Sequence, residues 1–313
     1  MQIKKRFIRI TALLLVMSML LMAAGCASSA ANAPEEDTDT ASADAASGDS
    51  TASDEPSIAT TSVAVLEILD ALEYDNVIGI PESEAEIPDR YEGLTTIGAP
   101  MTPDIEIVAS LDPDYIISPK TLEEDLSSEY STAGISSIFL DLSSVDAMYT
   151  AVNSLGSLLD REEQAAAMQA EYEEYMENYY SEKEDGPSVL ILMCYPDGFF
   201  LVVTEDAYVG NLLEMAGGQN VYAGEESSGF LSINPEDMVQ KDPDKIFVYA
   251  HYSEEAAFEY MAEEFETNSG WSYFSAVQND EIYYLPSEYF NMSANLSWTE
   301  SLDYLEPLLY GEE

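Results

Sequence analysis

The sequence predicts an α/β fold in which two Rossmann-like lobes are joined by a single long helix. Three observations support this prediction. From about residue 57, short apolar runs typical of buried parallel strands alternate with amphipathic helical patterns. A local motif built on proline and aspartate occurs once in each half of the chain. A long helical pattern lies between the two copies, as expected for a connecting helix.

The first half contains the elements of one α/β lobe, which we predict to span residues 57–143. Its apolar runs are short and are separated by helical patterns, so they indicate a parallel sheet. The predicted strands are 57–60, 77–80, 115–118 and 138–140, and the predicted helices are 63–69 and 105–111.

Residues 144–182 are predicted to form the inter-lobe helix. Apolar residues recur at steps of three and four, as at Met148, Val152 and Leu155. Neither proline nor a glycine cluster interrupts the pattern before Gly186. At about 1.5 Å per residue such a helix would exceed ~50 Å, which is longer than one lobe needs.

The second half repeats the alternation and is predicted to form a lobe over residues 183–313. The predicted strands are 189–193, 199–203 and 245–250, and the predicted helices are 209–215, one starting at 237, 254–265 and 297–309. Two lobes of this kind bind ligands at the carboxyl ends of their strands, so we expect the site in the cleft between them.

Both halves contain the same local unit, which supports the two-lobe prediction. In the first half, Pro103 starts a helix with an acidic first turn, and Asp112-Pro113-Asp114 then precedes a strand. In the second half, Pro235 and the Asp-Pro-Asp of residues 242–244 occupy the same places. Proline at a helix start and acid in the first turn are both favoured positions.

Residues 1–25 resemble a bacterial lipoprotein signal peptide. Four basic residues precede an apolar stretch of residues 10–24, which is too short for a comfortable membrane span. Small residues stand directly before Cys26, and the resemblance implies cleavage there and a lipid on its sulfur. The alternatives are an ordinary signal peptide and an uncleaved anchor.

Residues 26–56 are predicted to be a disordered acidic tether, because after Cys26 they contain no aromatic or branched aliphatic residue. A body tethered through Cys26 would lie on the outer face of the cytoplasmic membrane. The lipid would be its only membrane attachment.

The charge of the chain excludes several functions. Ten Lys and Arg residues oppose 61 Asp and Glu residues, giving a formal net charge of −51. Clustered basic residues are needed to neutralise phosphates, so a nucleic-acid partner of the usual kind is excluded. One histidine cannot build a multi-histidine metal site. No Gly-x-Ser-x-Gly or Gly-x-x-x-x-Gly-Lys motif is present, so we expect no enzyme.

Several runs resemble a known family. They are Ile-Gly-Ala-Pro-Met-Thr-Pro at 97–103, Val-Leu-Ile-Leu-Met at 189–193, Thr-Glu-Asp-Ala-Tyr-Val-Gly at 204–210, Ala-Gly-Gly-Gln-Asn-Val at 216–221, and Ala-His at 250–251 before an acidic helix. With the two lobes and the lipoprotein signal, they resemble the helix-hinged (class III) periplasmic binding proteins that serve ABC importers of siderophores, cobalamin and haem. They are most similar to the haem-receptor lipoproteins of iron-regulated surface determinant systems.

The resemblance, which covers residues 57–310, implies that haem is the transported ligand and that Met101 and His251 are its axial iron ligands. The residues themselves agree with this. His251 is the only histidine and follows a predicted strand, and Met101 lies in a polar turn before a helix. Imidazole and thioether are a known axial pair. Alternatively, a lone loop histidine is usually a surface residue, and one methionine among 13 is usually core filler.

The haem propionates need hydrogen-bond donors in an acidic protein. The start of the first predicted helix can offer backbone N–H groups and hydroxyls. The residues there are Thr60, Thr61, Ser62 and Val63. The simpler interpretation is a plain helix cap, and the two interpretations can hold together. The loop at 81–86 departs from the family pattern, because it is acidic where a basic residue would help to hold a propionate. Tyr208 lies in a run that matches the family and is expected to pack on the porphyrin face. The alternative is an ordinary core residue.

The family docks on an ABC permease through one glutamate on each lobe. Glu106 and Glu236 stand at the matching positions, although any two among 61 acidic residues are weak evidence alone. The resemblance allows upstream surface haem-relay proteins, and we expect a monomer. The alternative ligands are a ferric siderophore and a corrinoid. An anionic siderophore is disfavoured because, after the predicted cleavage, only Arg90 and Arg161 remain as arginines.

Overall fold

The computed structural model describes residues 55–83, 85–179, 186–225 and 228–311. The predicted signal peptide, Cys26 and all but the last two residues of the predicted tether lie outside these ranges. The body begins earlier than predicted, because Glu55 and Pro56 contact it. The Glu55 carboxylate pairs with Arg161 at 2.7 Å, and the Pro56 carbonyl accepts a hydrogen bond from Tyr74. The tether boundary at residue 56 is therefore wrong by about two residues.

The first lobe contains a five-stranded parallel sheet of order β3-β2-β1-β6-β7, in which all four predicted strands are confirmed. Two very short strands form a separate antiparallel hairpin that the sequence did not predict. The elements are β1 Ile58–Thr60, α1 Val63–Ala71, β2 Val77–Ile80, β3 Thr95–Thr96, β4 Gly98–Ala99, β5 Thr102–Pro103, α2 Ile105–Leu111, β6 Tyr115–Pro119, α3 Glu123–Ala133 and β7 Ser137–Leu140.

The bounds 144–182 predicted for the inter-lobe helix are wrong, because the chain forms two helices there, α4 Val145–Leu158 and α5 Glu162–Tyr179. Asp160 adopts a left-handed conformation with φ 56°, which aspartate tolerates better than most residues. The chain then turns back, since the Tyr149 and Tyr172 rings stack at 4.3 Å between the helices. The helices approach closely, and a Cβ built on Gly156 would lie 2.6 Å from that of Ala165.

The second lobe contains a six-stranded sheet of order β11-β9-β8-β12-β13, with β10 also paired to β8. Strand β9 runs antiparallel to both its neighbours, so this sheet is mixed, unlike the parallel sheet of the first lobe. The elements are β8 Ser188–Tyr195, β9 Phe199–Val203, α6 Tyr208–Met215, β10 Gln219–Asn220, β11 Phe230–Leu231, α7 Pro235–Met238, β12 Lys245–Ala250, α8 Glu254–Thr267, α9 Ser275–Gln278, β13 Ile282–Leu285 and α10 Trp298–Tyr310.

The repeated Asp-Pro-Asp unit forms the same contact in both lobes. The Asp114 carboxylate accepts hydrogen bonds from the backbone N and the Oγ of Ser57, at 2.7 and 2.8 Å. Asp244 accepts from the N and Oγ of Ser188, at 2.9 and 2.7 Å. These bonds favour the charged carboxylate and lower the pKa of both aspartates. The motif therefore ties together the starts of two neighbouring strands in each lobe.

The two lobes share one hydrophobic core on the side of the α4–α5 pair. Trp298 packs edge-on against Tyr172 and Tyr175, with ring centroids 5.5 and 4.8 Å apart. Asn211 of α6 accepts a hydrogen bond from the backbone N of Val145 at 3.0 Å. The opposite face of each sheet has its own smaller core. No helix within the described ranges has both the length and the apolarity of a membrane span.

Candidate functional site

His251 is the first residue after β12, at the carboxyl edge of the second sheet, as predicted. Its backbone N donates to the Cys194 carbonyl at 2.8 Å, which extends the β8–β12 pairing by one residue. The imidazole lies between Tyr195, edge-on at 5.0 Å, and Tyr252 at 4.0 Å. Burial lowers the His251 pKa to about 4. The ring is therefore neutral near pH 7 and can offer a nitrogen lone pair to a metal.

Met101 lies at the tip of the β4–β5 hairpin, immediately before α2. Gly98 enables this hairpin, since its φ of 99° is unfavourable for other residues and a Cβ there would meet the Asp104 backbone N at 3.0 Å. Met101 is 46% exposed, whereas Met148 and Met193 are 0% and 1% exposed. The interpretation of Met101 as core filler is therefore wrong.

Tyr252 brings the two candidate ligands together. Its ring stacks obliquely on the imidazole of His251, and its hydroxyl donates a hydrogen bond to Met101 Sδ at 2.8 Å. Met101 belongs to the first lobe and Tyr252 to the second, so this contact crosses the cleft. The structure thus places Met101 and His251 around one side chain.

Sequence analysis missed both Tyr252 and Tyr195 as site residues. The β8–β12 register pairs Ala250 with Cys194, so the residues that follow, His251 and Tyr195, lie side by side at the sheet edge. An aromatic residue at the end of the strand next to the histidine strand was the available signal. The contact between Tyr252 and Met101 depends on how the lobes close, and no pattern along the chain indicates it.

The segment Thr60–Val63 connects β1 to α1 at the carboxyl edge of the first sheet. Thr60 and Thr61 are almost fully buried, and Thr61 Oγ1 donates to Ser118 Oγ at 2.9 Å. Ser62 is the N-cap residue, yet its side chain makes no capping hydrogen bond. The interpretation of Ser62 as a plain side-chain cap is therefore wrong. The Ser62 side chain accepts no hydrogen bond from the first-turn N–H groups of α1.

The acidic loop that follows β2 lies beside the Met101 hairpin. The backbone N of Glu82 donates to the Gly98 carbonyl at 2.8 Å, and the Glu82 side chain is exposed. Residue 84 lies outside the described ranges. The described part of the loop therefore brings negative charge to the hairpin that carries Met101.

Tyr208 lies in the core and not at the cleft surface. It is the first residue of α6 and its side chain is 0% exposed. It packs in the core shared by the lobes, and burial raises its pKa well above the usual value. The expected contact of Tyr208 with a bound porphyrin is therefore contradicted. The prediction failed because a run of residues that matches a family does not determine which way a side chain faces.

Glu106 and Glu236 occupy equivalent places in the two lobes. Each is an exposed residue in the first turn of a short helix. Asp104 caps the first helix by accepting from the N of Glu106 and Ile107, and Asn234 caps the second by accepting from the N of Asp237. The local repeat therefore presents one carboxylate on each lobe.

Cys194 is a structural thiol. Its side chain is fully buried on β8, and burial raises its pKa to about 12, so it stays protonated and is a poor metal ligand. Among the described residues, no group of three or more His, Cys, Asp or Glu side chains is placed to hold a metal ion.

The family model for periplasmic binding proteins matches residues 58–289. The high-affinity haem uptake system protein IsdE of Staphylococcus aureus is 31% identical over 267 residues, which are 84% of this chain and 90% of that protein. The crystal structure of S. aureus IsdE complexed with haem has a TM-score of 0.77 at 31% identity, covering 82% of this chain and 99% of that one.

Two further structures extend the comparison. An ABC transporter substrate-binding protein from Listeria monocytogenes has a TM-score of 0.75 at 38% identity, covering 82% of this chain and 100% of that one. The vitamin B12 binding protein BtuF of Vibrio cholerae has a TM-score of 0.63 at 17% identity over 81% of this chain and 96% of that one, which shows a shared fold alone. These matches, with the two α/β lobes and the cleft between them, show that the chain belongs to the periplasmic binding protein family and is a substrate-binding protein of an ABC importer, not an enzyme.

Proposed function

We propose that this protein is a haem receptor that binds haem in the inter-lobe cleft, with Met101 and His251 as axial iron ligands. The observation that supports this most is the placement of the sole histidine and an exposed methionine, one from each lobe, around the side chain of Tyr252. The similarity to IsdE, a haem uptake protein, supports the same ligand.

The two side chains suit an iron porphyrin. His251 is neutral near pH 7, because burial lowers its pKa to about 4, so protons do not compete with iron for its nitrogen. The thioether of Met101 is a soft ligand that favours Fe(II) and raises the reduction potential relative to two histidines. With one ligand on each lobe, binding would draw the lobes together.

The propionates would bind at the start of α1. The first-turn N–H groups there, with the positive end of the helix dipole, attract anions without a basic side chain. The hydroxyls of Thr60, Thr61 and Ser62 are beside this turn but are almost wholly buried, so backbone donors would carry most of the interaction. The acidic loop after β2 would direct one propionate toward solvent.

Delivery would proceed through an ABC permease that docks on both lobes. Glu106 and Glu236 are exposed and locally equivalent, so basic residues of the permease could pair with one carboxylate on each lobe. Upstream surface haem-relay proteins would supply the ligand. The protein would act as a monomer on the outer face of the cytoplasmic membrane.

Cys26 would carry the lipid that attaches the protein to that membrane. Cells grown with a clickable fatty acid should label the parent protein, and Cys26→Ala should abolish the label and release the protein into the medium. Label retained by the variant would contradict lipidation at Cys26.

A spectral titration tests the ligand directly. Haemin added to the purified protein should give a saturable Soret band of a six-coordinate, low-spin complex. The band should weaken in His251→Ala and recover when free imidazole is added, which controls for misfolding. Cobalamin and a ferric hydroxamate are titrated in parallel, and saturable binding of either one without haemin binding would contradict the proposal.

A further inference from the structure

Tyr252 is held at both ends in a cleft where it is otherwise exposed. Its side chain is 58% exposed, yet its ring lies 4.0 Å from the His251 ring and its hydroxyl is bonded to Met101 Sδ at 2.8 Å. The side chain therefore runs from one candidate iron ligand to the other. An ordinary surface tyrosine would leave its hydroxyl in water.

The backbone of Tyr252 is also unusual. Its φ of 65° places a bulky residue in the left-handed region, which is costly for side chains other than glycine, asparagine and aspartate. Strain of this kind persists where the surroundings impose it, and it concentrates at functional sites. Here the left-handed turn directs the chain so that the residue after His251 folds back over the imidazole.

The observed contact and a metal bond to Met101 both use the lone pairs of the same sulfur. A thioether has no proton to donate, so Sδ can only accept from the Tyr252 hydroxyl, and this hydrogen bond weakens its donation to a metal. The tyrosine side chain also contacts both the sulfur and the imidazole. A flat chelate held by both residues has to fit between them, and it therefore meets the side chain that contacts both.

We propose that Tyr252 is a gating and specificity-determining residue of the cleft, whose side chain must leave the Met101–His251 gap before a ligand can be held by both. This inference rests on the proposed haem function. A flat chelate with two open axial positions forms two new metal bonds when it replaces the contacts of Tyr252. A siderophore that already encloses its iron forms no new metal bond, so nothing compensates for the lost contacts and it is rejected.

The sulfur contact can be tested without any haem. Tyr252→Phe keeps the ring and removes the hydroxyl, so the thioether lone pairs become free. Oxidation of Met101 to the sulfoxide by hydrogen peroxide, followed by peptide mass spectrometry, should be about 2- to 5-fold faster in Tyr252→Phe. Tyr273→Phe is the matched control, because Tyr273 is a 71% exposed tyrosine of the same lobe. An unchanged oxidation rate in Tyr252→Phe would show that the Tyr252 hydroxyl does not bind the Met101 sulfur, which would overturn the proposal.

The gate is tested by stopped-flow mixing with haemin. The association rate constant should rise about 3- to 10-fold in Tyr252→Phe, the factor expected from one ordinary hydrogen bond. It should stay at the parent value in Tyr273→Phe, and all three complexes should show the same final spectrum. Tyr252→Leu, which also removes the aromatic ring, should bind at least as fast and should bind a ferric hydroxamate more tightly than the parent does.

The outcomes separate this inference from the proposed function. If the parent protein gives no haemin complex, the haem function fails whatever the oxidation rates show. If the parent binds haemin and Tyr252→Phe associates no faster, the gate is overturned while the function stands. If Tyr252→Phe loses the six-coordinate spectrum, the tyrosine belongs to the ligand set itself, which also overturns the gate.

Discussion

The two lobes share one scaffold but present their ligand side chains differently. In both, an Asp-Pro-Asp aspartate ties two strands together, and a short capped helix exposes a glutamate. His251, however, is partly buried between two tyrosine rings at the end of a central strand. Met101 stands 46% exposed on a two-residue hairpin. The repeat therefore provides the framework, and the functional difference comes from the loops attached to it.

This difference suggests a division of labour between the lobes. An iron-binding side chain that its neighbours hold rigidly loses little entropy when haem binds, so the second lobe should supply most of the affinity for haem. A ligand on an exposed hairpin can adjust its position, so the first lobe should complete the coordination once the lobes approach each other.

The largest expected effect is on haemin affinity, and it should differ between substitutions of His251 and of Met101. We predict that His251→Ala weakens haemin binding by about 100-fold or more, since even residues that only orient a metal ligand cost 10- to 100-fold. Met101→Ala should cost only about 10-fold and leave a five-coordinate complex. Isothermal titration and absorption spectra measure both effects. Equal losses in the two variants, or a greater loss in Met101→Ala, would contradict the division of labour.

The second prediction concerns the feature that the lobes share. Glu106→Lys and Glu236→Lys should each lower haem uptake by cells about tenfold or more, because a like-charge contact replaces an ion pair at the permease. Haemin binding by the purified variants should be unchanged.

Two first-turn glutamates of other helices, Glu124 of α3 and Glu255 of α8, provide the controls for uptake. Glu124→Lys and Glu255→Lys should transport haem at the parent rate. A loss in only one of the two docking variants would show that the permease does not use the repeat symmetrically.

A third prediction tests the helical pair that lies between the lobes in sequence. Gly156→Val should destabilise the protein by about 1–3 kcal/mol, since α4 and α5 approach too closely there to admit a larger side chain. Denaturant unfolding measures the free energy, and Ser154→Val on the exposed face of α4 is the control. Gly156→Val should also weaken haemin binding if the pair sets the distance between the lobes.

The smallest effect is expected from the repeated aspartates. Their pKa values are lowered in the folded protein, so each carboxylate stabilises the fold above its unfolded pKa of about 3.9 and loses that contribution as the pH falls. Asp114→Asn and Asp244→Asn should therefore lower the Tm slightly at pH 7, and by progressively less as the pH falls below about 3.9 through the folded pKa. Thermal melts across this range measure the difference, and unequal effects would show that the two contacts are not equivalent.

Much of the scaffold could be predicted because it follows local patterns. Buried strands such as β8 and β12 are continuous apolar runs, and proline and aspartate mark the helix starts. The break between α4 and α5 could not be predicted in this way. Asp160 carries no strong signal for a left-handed turn, and the apolar stripe continues through it because both helices face the same core.

The candidate site was predicted only in part. Met101 and His251 were identified by residue type, position and family resemblance, and the structure brings both to the cleft. Tyr252 was missed because its role depends on contacts between lobes. Tyr208 was wrongly expected at the ligand because a matching run does not fix the direction of a side chain, and α6 turns this ring into the core.

The most direct test of the account is the absorption spectrum of the haemin complex in the parent, His251→Ala and Met101→Ala proteins. The account predicts a low-spin, six-coordinate spectrum in the parent that is lost in both variants and restored in His251→Ala by free imidazole. A parent-like spectrum in either variant would contradict coordination by one ligand from each lobe.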